Sequence, residues 1–410
     1  MHYITKMMAN GMMNITIGNI VVGADFFDRE DVIENIWETL QTGSILLAAP
    51  RRVGKSSIMR RLFDQPRLDF RPIWLDCQDY GGPEDLVTDL TVKAGELRQD
   101  PRHFFRHALK SVLGNIEELG IWQLKLKLRE QVADNWQSEG ESVLKESLAQ
   151  PDTRLLIIFD ELPILLHKLM TRDSDRGNAA AQDLLDWLRH VRQSPEFGRD
   201  IRQVIGGSIG LPRIASLIGS SHKINDLRPV EVGPLERSKA AELANGLLES
   251  RGIALSEVTM EAFLGQVGTF LPIFIQILAS AVAAEVQKRR ASATPELIRE
   301  CYEQRALGPE FRSCFEDFYE RLDRYYAPDE SRAAKRVLKE LAVSFEPLSR
   351  SQLLGAYAQE LGGSASESGF DFMLTWLADD FYICANQAGQ FGFKTMWLRD
   401  WWRRYHVSTL

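Results

Sequence analysis

One stretch of the chain, residues 44–63 (SILLAAPRRVGKSSIMRRLF), constrains the fold more than any other. Five apolar residues, 45–49, predict a buried strand, and the pattern after Gly54 is typical of a helix. The loop between these two elements ends in Gly-Lys-Ser. A strand, a short loop and Gly-Lys-Ser before a helix is the context in which a P-loop binds nucleotide phosphates. The alternative is an ordinary basic turn before a helix.

Each residue type in this loop suits phosphate binding. Backbone N–H groups of the loop and of the helix N-terminus point at phosphate oxygens, where the helix dipole favours anions. Lys55 is predicted to reach the β- and γ-phosphates and Ser56 to bind Mg²⁺. The predicted nucleotide-binding residues are Pro50, Arg51, Arg52, Val53, Gly54, Lys55, Ser56 and Ser57. Ala49 stands where the GxxxxGK[ST] pattern has its first glycine, and alanine tolerates a positive φ poorly.

A second stretch, residues 154–166 (RLLIIFDELPILL), joins an apolar strand to an acidic pair. Asp160 is predicted to hold Mg²⁺ through water, and Glu161 to polarise the attacking water as a general base. Many strands end in acids, so the pattern alone is weak. Beside a P-loop it predicts ATP and Mg²⁺ as cofactors and hydrolysis as well as binding.

Weaker signals lie around these two stretches. Residues 203–210 (QVIGGSIG) predict a central strand ending in Ser208, which is either a γ-phosphate sensor or a serine in a glycine-rich turn. Residues 15–22 are β-prone, and Val22 and Phe27 are candidates either for an adenine pocket or for core packing. Residues 121–129 (IWQLKLKLR) alternate, which predicts a half-buried strand. Its lysines either guard a sheet edge or contact nucleic acid or a partner.

The order of elements predicts an α/β core with a parallel sheet, followed by helical regions. Residues 1–235 are assigned to the core, with an insertion at about 81–152, and residues 236–308 to a helical lid. Residues 309–410 give three helices, a hairpin and a final helix, which is the order of a winged helix. The most apolar run, 270–284, is interrupted by polar residues and is too short to span a bilayer, so we expect no membrane segment there.

Charge and cysteine content exclude several classes of protein. The formal net charge of −8 argues against a general nucleic-acid-binding surface. The third helix of the tail carries Asp371 and Asp379, which are unfavourable against phosphate, so a protein contact or self-regulation is favoured there over DNA. Four cysteines without CxxC spacing predict neither zinc nor disulfides and favour a reducing cytosol.

Several strings taken together resemble a known family. They are PRRVGKSS, IIFDELP, GGSIG, LPIFIQIL and FGFKTMWLRDWWRRY. They are similar to the archaeal-type P-loop ATPases of the STAND/AAA+ assemblage, distant relatives of the origin-recognition initiators. The resemblance implies a RecA-like core, a helical lid, a C-terminal winged helix, and ATP acting as a conformational switch, often with self-association. Arg213 lies about where an arginine finger sits in AAA+ assemblies, in competition with Arg192, Arg199 and Arg202.

These observations predict a cytoplasmic, Mg²⁺-dependent ATPase whose conformation or assembly changes with nucleotide state. Ala49 is a reason to expect slow turnover. The expected partners are ATP and ADP, further copies of the chain and an effector protein. Two alternatives stay open: a winged-helix initiator or loader that binds DNA, and a nucleotide-binding scaffold for an effector, without significant turnover.

Overall fold

The computed structural model describes residues 13–21, 23–49, 53–67, 69–98, 100, 104–105, 125, 128–130, 132–149, 153–172, 174–207 and 210–407. The chain divides by its internal contacts into two compact units. The sheet unit comprises Arg29–Ala49 and Lys55–Val232. The helical unit comprises Gly233–Leu410 together with Met1–Asp28 and Pro50–Gly54.

A five-stranded parallel sheet, in the order β2-β3-β4-β1-β5, forms the centre of the sheet unit. Its strands are β1 (Ile45–Ala48), β2 (Phe70–Asp76), β3 (Arg154–Asp160), β4 (Ile201–Ile205) and β5 (Arg228–Glu231). The apolar residues 155–159 of β3 are all buried, as expected of a parallel strand covered on both faces. The predicted α/β class with a parallel sheet is confirmed.

Helices connect the strands of the sheet unit. They are α1 (Glu30–Leu40), α2 (Lys55–Asp64), α3 (Pro83–Glu96), α4 (Trp136–Leu148), α5 (Leu162–Arg172), α6 (Ser174–Gln193) and α7 (Leu211–Leu217). Helix α1 buries the stripe Ile33, Ile36, Trp37 and Leu40, which is the 3.6-residue period of its sequence. The sequence predicted a strand over residues 203–210. The observed strand β4 runs from Ile201 to Ile205, so it both starts and ends earlier.

The strand predicted at residues 121–129 is wrong for the residues that are described. Lys125 and residues 128–130 are helical, as is Val132. The apolar positions 121, 124, 128 and 132 also follow a helical period, and short runs satisfy both periods. Leu128 and Val132 are fully buried. The Lys125 ammonium pairs with Asp89 of α3 at 2.8 Å, so this lysine contacts a neighbouring helix instead of guarding a sheet edge.

The helical unit contains the remaining elements. They are α8 (Arg237–Glu249), α9 (Glu257–Val267), α10 (Pro272–Arg289), α11 (Pro295–Glu300), α12 (Ser313–Tyr325), α13 (Pro328–Val343), α14 (Arg350–Leu361), α15 (Glu367–Asp379), β6 (Ile383–Ala385), β7 (Phe391–Phe393) and α16 (Met396–Trp402). From α13 onward, the three helices, the antiparallel hairpin and the last helix follow the order that the sequence predicted. No helix in the described part of the chain is both long and apolar enough to cross a membrane.

Aromatic rings form the core of the helical unit. Trp397 of α16 stacks on Phe274 of α10 with ring centroids 4.7 Å apart and planes at 9°. Its indole N–H donates to the Gln266 carbonyl at 2.9 Å. Phe315 of α12 stacks on both Trp397 and Trp401. These contacts join helices α9, α10 and α12 to the C-terminal helix α16.

The β-prone segment before α1 forms no strand over its described residues, 15–21. The Thr16 backbone N–H donates instead to the side-chain oxygen of Gln276 at 2.7 Å. A strand requires a paired neighbour along its whole length. The segment bonds to a side chain here, so local β propensity did not decide its structure.

Candidate functional site

Lys55 begins helix α2, and the residue before it, Gly54, has a φ of +101°. Glycine adopts this conformation without the steric cost that a Cβ imposes. Ile58, Met59 and Leu62 are fully buried and hold the helix in the sheet unit. The first four N–H groups of a helix lack intrahelical partners. The start of α2 is therefore suited to bind an anion.

The Lys55 ammonium is held within the sheet unit by the chain itself. The side chain is only 9% exposed, and Nζ donates to the Ala49 carbonyl at 2.9 Å. Ala49 does not have a positive φ. The strain expected from the missing glycine is therefore absent at this position. The ammonium also lies close enough to Asp160 to lower the pKa of that carboxyl group, so its positive charge is at the carboxyl edge of the sheet.

Asp160 lies at the carboxyl end of β3 and is 8% exposed. The Ser56 side chain lies close enough to this carboxylate to favour its ionised form. Burial, with the neighbouring charge of Glu161, raises the pKa of Asp160 to about 6, while Ser56 and Lys55 oppose that rise. The structure thus brings Lys55, Ser56 and Asp160 together, as the sequence predicted from two separate motifs.

Glu161 follows Asp160 directly and has a φ of +57°. A residue with a Cβ rarely adopts this left-handed conformation, and such strain clusters at functional sites. The Glu161 carbonyl accepts a hydrogen bond from Ile164 at 3.0 Å at the start of α5. The turn into α5 thus fixes the glutamate beside Asp160.

The residues at this edge fit Mg²⁺. Serine hydroxyl and carboxylate oxygens are the hard donors that Mg²⁺ prefers, and it usually binds few protein groups together with substrate phosphates. Ser56 and Asp160 are two such donors, and they lie close enough for Ser56 to lower the pKa of Asp160. No group of three or more His, Cys, Asp or Glu side chains among the described residues is placed to hold a metal ion. Water and phosphate oxygens would complete the coordination of an ion bound to these two donors.

The end of β4 lies between the two motifs. The Gly206 N–H donates to the Phe159 carbonyl at 2.9 Å, which extends the pairing with β3. A Cβ on Gly206 would lie 2.9 Å from the Met59 methyl group, so the glycine lets α2 pack closely against this strand end. Ser208 lies two residues beyond Gly206 and outside the described residues. Its sensor role stays a prediction.

Other predicted binding residues have different outcomes. Pro50, Arg51, Arg52 and Val22 lie outside the described residues. Val53 is buried, and Ser57 is buried in the first turn of α2. Phe27 is half-buried just before α1. The structure does not test its proposed contact with adenine, which remains a prediction.

The candidate finger residue, Arg213, lies in the short helix α7 and is 3% exposed. The burial of His167 in α5, and then the positive charge of Arg213, lower the pKa of that histidine. Its role across a subunit interface stays a prediction.

Two of the competing arginines have structural contacts within the sheet unit. Arg192 pairs with Asp226 at 2.7 Å. Arg202 donates to the carbonyl of Leu40 at 2.9 Å. Arg199 is exposed and precedes β4, so it lies at the opposite end of that strand from Gly206. None of these observations assigns a finger.

Sequence reasoning missed Asp76, the last residue of β2. Its Cα is paired in register with that of Asp160, and its side chain is exposed. The signal was present, because residues 71–76 (RPIWLD) are also an apolar run that ends in an acid. What the sequence does not give is the strand order, which places β2 directly beside β3.

Comparison with known proteins agrees with this geometry. No family model matches the chain, and no curated protein matches it. Among solved structures, the Walker-type ATPase PABY2304 of Pyrococcus abyssi is similar, with a TM-score of 0.61, 17% identity, and 95% of this chain and 99% of that chain covered. The fold is that of a P-loop ATPase. The ORC2 protein of Aeropyrum pernix, solved in ADPNP and ADP complexes, is also similar, with a TM-score of 0.51, 10% identity, and 89% and 88% covered.

The likeness covers nearly the whole chain, so the helical unit belongs to the shared architecture as well as the sheet. The fold therefore resembles those of archaeal Walker-type ATPases and origin-recognition proteins. At identities of 17% and 10%, this comparison establishes the fold. The chemistry has to be argued from the residues of this chain.

Proposed function

We propose that this protein binds ATP with Mg²⁺, hydrolyses it, and works as a switch whose conformation or assembly follows the nucleotide state. One observation carries the proposal: strand β1, which leads into the P-loop, and strand β3, which ends in Asp160, both pair with β4, and Ser56 lies close enough to the Asp160 carboxylate to lower its pKa. Two motifs about a hundred residues apart in sequence are thereby joined at one edge of the sheet. The carboxyl ends of strands are where open α/β sheets bind ligands.

Each residue has a defined task in this proposal. Lys55 places its positive charge against the phosphates, and the free N–H groups at the start of α2 bind phosphate oxygens. Ser56 and Asp160 provide oxygen donors for the metal side of the nucleotide. Mg²⁺, when bound, neutralises charge on the phosphate oxygens. Glu161 orients the attacking water and accepts its proton.

The lysine contact gives the switch a physical basis. Lys55 Nζ donates to the Ala49 carbonyl at 2.9 Å. In the proposal a phosphate competes for that donor, and the carbonyl at the start of the loop loses its partner. A ligand shifts a conformational equilibrium only through such a difference in contacts between two states. The loop residues 50–54 are therefore the first part of the chain expected to respond.

Steady-state ATP hydrolysis with Mg²⁺ tests the proposal, using Glu161→Gln beside the exposed control Glu38→Gln. We expect Glu161→Gln to lower kcat by about 100-fold or more, because it removes a general base, and to retain ATP binding. Glu38→Gln should match the wild type. Wild-type ATP binding without turnover above background would refute hydrolysis and leave the scaffold alternative.

Assembly is tested by light scattering of the wild type and of Glu161→Gln, with and without ATP. A mass that increases only with ATP, most clearly in the slow variant, supports a nucleotide-controlled assembly. In that case the rate per chain should also rise with protein concentration, and Arg213 becomes the first arginine to substitute. A constant mass restricts the switch to a change within one chain.

DNA binding is the second candidate because the C-terminal elements follow the winged-helix order. Helix α15, the third helix of that order, contains no lysine or arginine and carries Glu367, Asp371 and Asp379. Arg350 pairs with two of these acids. A helix with this charge is unfavourable in a DNA groove. Duplex binding at low salt that weakens with added salt would overturn this judgement.

A further inference from the structure

Asp76 and Asp160 end neighbouring strands at the same edge of the sheet. Their Cα atoms are register partners in the parallel pair of β2 and β3. The pairing continues past both residues, since the Cys77 N–H donates to the Asp160 carbonyl at 2.8 Å. Register partners on adjacent strands project to the same face, about 5 Å apart. The two carboxylates therefore face the same space.

The loop after Asp76 is fixed to the helix that follows the acidic pair. Lys168 of α5 donates to the carbonyls of Gln78 and Tyr80. Arg172, one turn further along α5, donates to the Gly81 carbonyl at 2.7 Å. Helix α5 begins directly after Glu161. The positions of Asp76, Asp160 and Glu161 are thus fixed by the same helix.

Asp76 also has a turn-forming contact, and that contact does not use its negative charge. Asp76 Oδ1 accepts a hydrogen bond from the Gln78 N–H at 3.1 Å, which is a common contact of Asp, Asn and Ser at the start of a turn. Asparagine forms the same bond without a charge. The aspartate adds a negative charge beside Asp160, and like charges at this spacing repel. A cation in the shared space removes that repulsion.

We propose that Asp76 holds a water molecule that coordinates the Mg²⁺ ion of the bound nucleotide. Asp76 thereby raises the affinity of the protein–nucleotide complex for the metal. This inference rests on the proposed ATP-binding function. The contact runs through water because β2 is one strand further from β1 than β3 is, about 4.8 Å more. Mg²⁺ keeps several of its waters in such sites. Asp76 is therefore a positioning residue.

The test measures metal binding and does not depend on turnover. Mn²⁺ is titrated into the ADP complex and followed by electron paramagnetic resonance, and a fluorescent ADP analogue is titrated in EDTA. The central variant is Asp76→Asn, because asparagine keeps the bond to the Gln78 N–H and removes only the charge. Asp76→Glu restores the charge. Asp79→Asn, an exposed acid in the same loop, is the matched control.

We expect Asp76→Asn to weaken Mn²⁺ binding to the ADP complex by about 10-fold, the size of effect seen for residues that support metal ligands indirectly. Affinity for the ADP analogue in EDTA should not change. Asp76→Glu should recover part of the loss, and Asp79→Asn should match the wild type.

Three results would overturn the inference in distinguishable ways. Equal Mn²⁺ affinity in Asp76→Asn and the wild type refutes the role of Asp76 and leaves the proposed function intact. If Asp76→Asn weakens Mn²⁺ binding and the binding of the ADP analogue in EDTA equally, the residue acts on the fold of the loop. A wild type that binds no ADP analogue refutes the proposed function and this inference together.

Discussion

The carboxyl edge of the sheet and the aromatic core of the helical unit differ in the kind of side chain that they bury. At the sheet edge, a buried lysine and a buried aspartate lie beside a glutamate in a strained conformation. In the aromatic core, Trp397 and Phe274 stack closely, and the indole N–H has its acceptor. The first region contains groups that a ligand can stabilise further. The second region is held together by contacts among its own aromatic rings. Substitutions should therefore affect ligand binding in the first and stability in the second.

The largest effect is expected from Trp397→Ala. The side chain is fully buried, so its removal leaves a cavity that the stacked rings around it cannot fill. Such truncations cost about 3–5 kcal/mol of unfolding free energy. Denaturant unfolding followed by far-UV circular dichroism measures the loss. Trp376→Ala, at a half-buried tryptophan of α15, is the control and should cost less. Equal costs would show that the stacked core is not the main support of the helical unit.

Lys55→Met should show the reverse pattern. We expect ATP affinity to fall by about 100-fold, or about 2.8 kcal/mol, because the phosphates lose their buried cation. Stability should fall by less than in Trp397→Ala, because methionine keeps much of the side-chain volume, and the buried Asp160 carboxylate, which loses a nearby cation, can take up a proton. Isothermal titration calorimetry measures the affinity, and Lys288→Met, at an exposed lysine of α10, is the control. Full ATP affinity in Lys55→Met would contradict the assignment of the P-loop.

These two regions also differ in how far the sequence predicts them. Strands β1 and β3 follow from their apolar runs. The meeting of Ser56 with Asp160 follows because the carboxyl ends of parallel strands share one edge of a sheet. Asp76 could not be found in this way, since the sequence does not reveal that β2 pairs with β3. The alternation in residues 121–129 led to a wrong strand because the same run also has a helical period.

The raised pKa of Asp160 predicts a pH-dependent stability. The carboxyl group has a pKa of about 6 in the fold, and 3.8 is the reference value for the unfolded chain. The unfolded chain thus ionises first, and the fold loses stability as pH rises from about 4 to about 6, by at most about 3 kcal/mol. Asp160→Asn should therefore be the more stable protein at pH 7.5.

Urea unfolding at pH 4.5, 6 and 7.5 measures this difference without nucleotide. The advantage of Asp160→Asn over the wild type should be greatest at pH 7.5 and should shrink towards pH 4.5. Saturating ATP and Mg²⁺ should favour the wild type, because the carboxylate then has a cation to meet. An advantage that does not depend on pH would assign the effect of the substitution to packing.

The smallest effect on stability is expected from Phe372→Ala. Phe372 is an exposed aromatic residue, and it can be compared with the buried aromatic residues of the helical unit. Its side chain is 58% exposed on α15, whereas Phe370 on the same helix is fully buried. Phe372→Ala should change the unfolding free energy by less than about 0.5 kcal/mol, as exposed substitutions usually do. Phe370→Ala, its matched control, should cost about 3–5 kcal/mol. A large loss in Phe372→Ala would mean that this face of α15 is covered in the folded protein, for instance by a second copy of the chain. The same measurement at several protein concentrations distinguishes that case, because only a covered face between copies makes the loss depend on concentration.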